Sequence, residues 1–133
     1  MLRSYTDEHA RAGIDAVLPA IETWPNQFPG YEIVISVPEF TCVCPKTGLP
    51  DFGKLTLRYT PGKRCLELKS LKIYALAYRN LGIFNENVVN RMLRDVVKAA
   101  RPEACTIIGE FTPRGGLQTT VTATWSKTRG SRR

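Results

Sequence analysis

The spacing of apolar residues changes twice along this chain, and that change leaves few arrangements open. Lys54-Leu55-Thr56-Leu57-Arg58-Tyr59 alternates apolar with polar, the period of a half-buried strand. From Ser70 the period becomes three and four. Leu71, Tyr74, Ala75 and Tyr78 mark one helix, with Ser70 as its cap and Gly82 as its end. Val88, Val89, Met92, Leu93, Val96 and Val97 mark a second helix, with Asn85 or Asn87 at its start and Arg101-Pro102 at its close. Its opposite face carries Arg91, Arg94, Asp95 and Lys98. Strand-like runs return at 105–111 and 117–125, joined by a turn at Thr112-Pro113-Arg114-Gly115-Gly116. Ahead of all these, residues 31–37 are β-branched and stop at Pro38, so a first strand there pairs with the strand at 54–59. The order is therefore β-β-α-α-β-β, an α+β layer with an antiparallel sheet of about four strands under two helices. Such a sheet has two open edges and one uncovered face. Side-by-side addition of identical copies, closing a barrel in a ring, is expected.

A chain of 133 residues has the length of one domain with its own core, so residues 1–133 read as a single unit. Residues 1–30 read as an irregular, proline-containing arm, and 39–52 as a loop dense in Pro, Gly, Thr and Cys. No apolar run reaches the roughly 20 residues that span a bilayer, and the first eight residues lack a secretion signal's basic start and apolar block. A cytoplasmic protein without membrane contact is expected. The formal charge of +7 is concentrated in a basic tail at 127–133, where Lys127, Arg129, Arg132 and Arg133 stand without an acid. The remainder carries only a modest positive balance, so charge does not argue for direct nucleic-acid binding. Four cysteines, at 42, 44, 65 and 105, are expected to be free thiols in a reducing compartment. With no C-x-x-C and a single distant His9, no metal site is expected.

Chemistry gathers in three clusters. Cys44 lies in a Pro/Gly-constrained loop with Lys46 placed to favour the thiolate and Asp51 placed as a proton donor or acceptor. By residue type alone, a small buried thiol beside a proline turn is the plainer reading. Lys69 and Lys72 stand three apart at a helix start, which suits a phosphate as well as a solvated face. Glu86 opens the second helix, where it can meet the helix dipole or accept paired N–H groups from an amidine edge. No G-x-G-x-x-G follows any strand, so a dinucleotide, if bound, is bound without a Rossmann unit.

Taken in order, Cys44-Pro45-Lys46-Thr47-Gly48-Leu49-Pro50-Asp51-Phe52, Glu67-Leu68-Lys69-Ser70-Leu71-Lys72, Tyr78-Arg79-Asn80 with Phe84-Asn85-Glu86, and Phe111-Thr112-Pro113-Arg114-Gly115-Gly116 closely resemble the short form of the NADPH-dependent 7-cyano-7-deazaguanine reductases. The resemblance spans about residues 38–116 and implies the tunnelling fold, shared with GTP cyclohydrolase I. It also implies ring assembly as a pentamer or decamer with sites between subunits. The implied activity is reduction of a nitrile to an aminomethyl group with NADPH and no metal, on the way to queuosine in transfer RNA. Carried over residue by residue, Cys44 forms a covalent thioimide and Asp51 donates the proton, a task suited to a carboxyl kept neutral by burial. Leu66, Glu67, Leu68, Asn85 and Glu86 line the substrate pocket, while Lys69, Lys72, Arg114 and Gly115 bind the cofactor. Asn85 departs from the pattern, because many relatives carry His there and an amide cannot deliver a proton. Leu68 also departs, standing where others have Ser. Two rivals are a same-fold amidinotransferase acting on deazaguanine-modified transfer RNA and a non-catalytic binder of modified purines or RNA.

Overall fold

A computed structural model describes residues 4–130. Strands β2 (Ile33–Val43), β3 (Pro50–Thr60), β5 (Ala104–Phe111) and β6 (Thr120–Ser126) form one antiparallel sheet in the order β2-β3-β5-β6. Between its two hairpins run α2 (Leu68–Leu76), a 3₁₀ turn (Ala77–Asn80) and α3 (Asn85–Ala100). The β-β-α-α-β-β order holds, with α1 (Asp7–Arg11), β1 (Thr23–Pro25), β4 (Arg64–Leu66) and α4 (Lys127–Gly130) added around it. Among the described residues, no helix is long and apolar enough to cross a membrane.

Alternation decides which side of each strand is buried. Leu55, Leu57 and Tyr59 of β3 and Cys105, Ile107 and Phe111 of β5 point under the helices, where they meet Val88, Val89, Met92 and Val96 of α3. At the centre of this contact Gly109 leaves no space for a side chain. An added Cβ would stand 2.7 Å from Val89 Cγ2 and 2.8 Å from Phe111 Cε2. Gly109→Ala is therefore expected to destabilise by about 1–3 kcal/mol through overpacking, read as a lowered urea midpoint at unchanged slope.

Several local expectations are corrected. Pro38 does not end the first strand, because a bulge between Val37 and Phe40 takes it out of the ladder, where its missing N–H costs nothing. β2 then continues to Val43, and the loop expected at 39–52 shrinks to the segment between β2 and β3. Ser70 does not cap α2. Glu67 does, its carboxylate accepting from the N–H groups of Lys69 and Ser70 at 2.8 Å each, while the Ser70 hydroxyl donates to the Glu67 carbonyl. Two oxygens satisfy two orphan donors where a hydroxyl satisfies one. Those donors hold the Glu67 carboxyl below the usual carboxylate range. Neither Asn85 nor Asn87 caps α3; the N-cap is Phe84, and both asparagines lie inside the helix. Arg101 does close α3, in the left-handed conformation with φ of 47°. Gly82 does not end α2, which passes into the 3₁₀ turn, but bridges Val43 and so ties the helix connection to the end of β2.

The arm expected to be irregular holds α1 and β1, and β1 pairs with β4. Of the basic tail, residues 127–130 turn into α4, and the Lys127 backbone N–H donates to the Glu103 carbonyl at 2.9 Å. Arg132 and Arg133 lie outside the described residues.

Candidate active site

The end of β2 and the start of β3 meet in a tight turn. Cys44 N–H donates to the Leu49 carbonyl at 2.8 Å, and Gly48 N–H donates to the Cys44 carbonyl at 2.9 Å with Gly48 at φ 73°. The positive φ suits glycine, which has no Cβ to clash there. This geometry brings the Thr47 hydroxyl and the backbone N–H groups of Thr47 and Lys46 to the Cys44 sulfur. Burial pushes that thiol up, but those hydrogen bonds and the Arg114 charge outweigh it and hold the thiol below its ordinary value. Two residues back, Cys42 shows the opposite case. Fully buried, with its Sγ 3.8 Å from the Asn85 side-chain oxygen, it is pushed up to about 12 by burial and by Cys44.

Lys46 plays a different part from the one its sequence position suggests. Its ammonium turns away to the Ser4 carbonyl at 2.8 Å, and only its backbone N–H serves the sulfur.

Asp51 lies opposite Cys42 in the β2–β3 register and is buried. Its carboxylate pairs with the Arg114 guanidinium. Arg114 arrives from the β5–β6 connection on a two-residue turn whose central positions, Gly115 and Gly116, have φ of 57° and 84°. Positive φ at both central positions is what Gly-Gly supplies. Arg114, matched above to the cofactor, is thus engaged by Asp51 within the chain.

Asn85 and Glu86 begin α3 beside this turn, held there by the Val43–Gly82 bridge. Glu86 is exposed and has no side-chain partner among the described residues. Leu66 and Glu67 stand elsewhere, while Leu68 lines the groove between α2 and β2. Leu66 N–H donates to the Tyr59 hydroxyl at 2.9 Å, near the far end of β3, and eight residues of strand separate Tyr59 from Asp51. At strand rise that is about 26 Å. Within one chain Leu66 therefore lies far along the sheet from Asp51.

A groove of about 310 Å³ runs between α2 and β2, mostly apolar, with Lys72 and Arg79 on its rim. It adjoins a second of about 680 Å³ that shares Pro38, Glu39, Phe40, Thr41, Leu76 and Arg79 and reaches Phe52 and Thr112. The continuous channel ends beside the backbone neighbours of Asp51, although neither lining includes Cys44 or Asp51. Lys72 lines it and Lys69 does not. Sequence reasoning missed Thr47 and Arg79. A hydroxyl three residues after a cysteine in a Pro-Lys-Thr-Gly turn was a readable signal for the first; the second stood in the motif Tyr78-Arg79-Asn80 without a role assigned to it.

Residues 50–130 match the family described as QueF-like protein. The chain belongs to that family. It is 56% identical to the NADPH-dependent 7-cyano-7-deazaguanine reductase of Elusimicrobium minutum, over 92% of this chain and 94% of that one. It is 59% identical to the reductase of the same name from Chloroherpeton thalassium, over 79% of this chain and 92% of the relative. Among solved structures it is similar to the apo archaeosine synthase QueF-Like, with a TM-score of 0.68 at 20% identity, covering 73% of this chain and 95% of that one. At that identity the likeness speaks for the architecture, the tunnelling fold, which family members build from the β-β-α-α-β-β unit.

Proposed function

We propose that this chain reduces the nitrile of 7-cyano-7-deazaguanine to an aminomethyl group with NADPH, in the cytoplasm, through a covalent thioimide on Cys44. The observation that carries the reading is a thiol held toward thiolate by the Thr47 turn beside the buried Asp51–Arg114 pair. In the first step the Cys44 sulfur bonds to the nitrile carbon, and one C–N π pair moves to nitrogen. Asp51 takes the proton that Cys44 releases and passes it to that nitrogen. NADPH, when bound, would supply hydride to that carbon twice; between the two transfers the C–S bond breaks with its electron pair returning to Cys44 as thiolate, and nitrogen takes up a proton at each reduction. Arg114 steadies the carboxylate each time Asp51 gives up a proton. Glu86 accepts the donor pair on the guanine-like edge, and Asn85 can hydrogen-bond but not titrate, which leaves proton delivery to Asp51.

The α2–β2 channel is the site we assign to NADPH: apolar walls for the adenine, with Lys72 of α2 and Arg79 of the 3₁₀ turn lining it for its phosphates. Lys72→Ala and Arg79→Leu are each expected to raise KM for NADPH about tenfold or more, as loss of a charge-assisted bond does. Unchanged NADPH titrations in both variants would remove the channel from the reading.

Self-association into a ring, a pentamer or decamer, is part of the same reading. Edges β2 and β6 have no further strand partner among the described residues. The distance of Leu66 from Asp51 along the sheet asks for a second copy if both are to touch one substrate. The deciding experiment incubates purified protein with 7-cyano-7-deazaguanine and follows NADPH oxidation together with product mass. Aminomethyl product with two NADPH consumed supports the reading. Amine transfer to RNA without NADPH use supports the amidinotransferase, and binding alone supports the non-catalytic rival.

A further inference from the structure

Residues 4–14 do not hang from the domain. Three side chains of α3 at positions i, i+4 and i+7 each donate to a carbonyl of the arm: Asn87 to Ala10 at 2.7 Å, Arg91 to Gly13 at 2.6 Å and Arg94 to Ile14 at 2.7 Å. That spacing is one face of a helix, so α3 acts as a rail along which the arm is laid. Thr6 and His9 form a reciprocal capping box that starts α1 and fixes how the chain enters it. Ahead of the box, the rail delivers Tyr5 to one place. Its ring packs on Phe84 with centroids 5.5 Å apart, and the Lys46 ammonium sits 5.1 Å from its centroid while donating to the Ser4 carbonyl.

Lys46 is therefore gripped from outside the turn to which it belongs. Its backbone N–H and that of Thr47 are the donors that face the Cys44 sulfur, in a turn otherwise closed by only a few bonds. A cation held over an aromatic face and hydrogen-bonded at once has few alternative positions. We infer that the N-terminal arm belongs to the nucleophile's apparatus: Tyr5, acting through Lys46, is a positioning residue that keeps the 44–47 turn aimed at Sγ. Tyr5 need not touch the substrate for this, and the sulfur's titration can be read without substrate or NADPH. Failure of the reductase reading and failure of this inference are thus distinguishable.

The test is the pH profile of Cys44 alkylation by iodoacetamide on the full chain, with the modified site identified by peptide mass. Tyr5→Ala and Lys46→Met are expected to move the midpoint upward, so that below the wild-type midpoint alkylation slows about tenfold for every pH unit by which the midpoint rises. Tyr5→Phe keeps the ring and Lys46→Arg keeps the cation, and both are expected to stay near wild type. Since the bonds from Asn87, Arg91 and Arg94 remain, circular dichroism should show an intact fold in all four. Superimposable profiles for Tyr5→Ala, Lys46→Met and wild type would overturn the inference. A lowered unfolding midpoint without a displaced profile would also overturn it, because the arm would then be merely structural.

Discussion

Cys44→Ala should lose turnover of the nitrile by at least about 10⁴-fold while the fold persists, the size of effect seen when a covalent nucleophile is removed. The change deletes one buried sulfur from a turn whose own closure runs through backbone atoms, Cys44 N–H to the Leu49 carbonyl and Gly48 N–H to the Cys44 carbonyl, so the turn should survive. The sharper measurement is intact mass after incubation with the nitrile and no NADPH. Addition has no leaving group, so wild type should gain the full mass of the nitrile and the variant nothing. No neighbouring thiol can take over. Burial pushes Cys42 and Cys105 up to about 12, which at neutral pH leaves roughly one in 10⁵ ionised. Because Cys44 is held below its ordinary value, it is deprotonated from a lower pH upward. Adduct formation should persist below the pH at which a free cysteine stops reacting. An undiminished adduct in Cys44→Ala would end the covalent reading.

What could be read beforehand follows from the range of each interaction. Period two in Leu55, Leu57 and Tyr59 and period three to four in Val88, Met92 and Val96 are set by burial against a facing layer, and they gave the layers correctly. Pro38 misled because a bulge is a property of two strands, and the register of β2 on β3 is not written in β2. Ser70 misled because the chain reaches α2 through β4, which places Glu67 with its carboxylate already over the first turn. Arg91 reads as a solvated residue on the polar face of its helix, yet it is buried, since the arm 78 residues earlier lies across it. The site divides in the same way. Cys44 and Asp51 are close in sequence and share a hairpin, so their association was legible. Arg114 stands 63 residues from Asp51 and reaches it only because β5 pairs with β3. Lys46 was expected to act by charge at short range, but a side chain follows its contacts, and those lie in the arm.

The hardest demand on the mechanism falls on Asp51. Asp51→Asn keeps the volume and one oxygen for Arg114 but cannot carry a proton, so kcat should fall by about 10²–10⁴-fold, the range of general acid catalysis. Without a titratable imidazole at position 85, no nearby side chain is placed to compensate. Arg114→Leu separates charge from proton. Its charge helps hold the Cys44 thiol below its ordinary value, so its removal should raise the pH at which Cys44 loses its proton. Thiolate would then form only at higher pH. The acid limb of the kcat/KM profile, set by Cys44, is expected to move upward with a lower maximum, whereas Asp51→Asn should lower kcat and leave that limb in place. Retention of turnover within threefold in Asp51→Asn, or an Arg114→Leu profile that stays where wild type has it, would show that the proton comes from elsewhere and that the ion pair serves only to hold the β5–β6 turn against the start of β3.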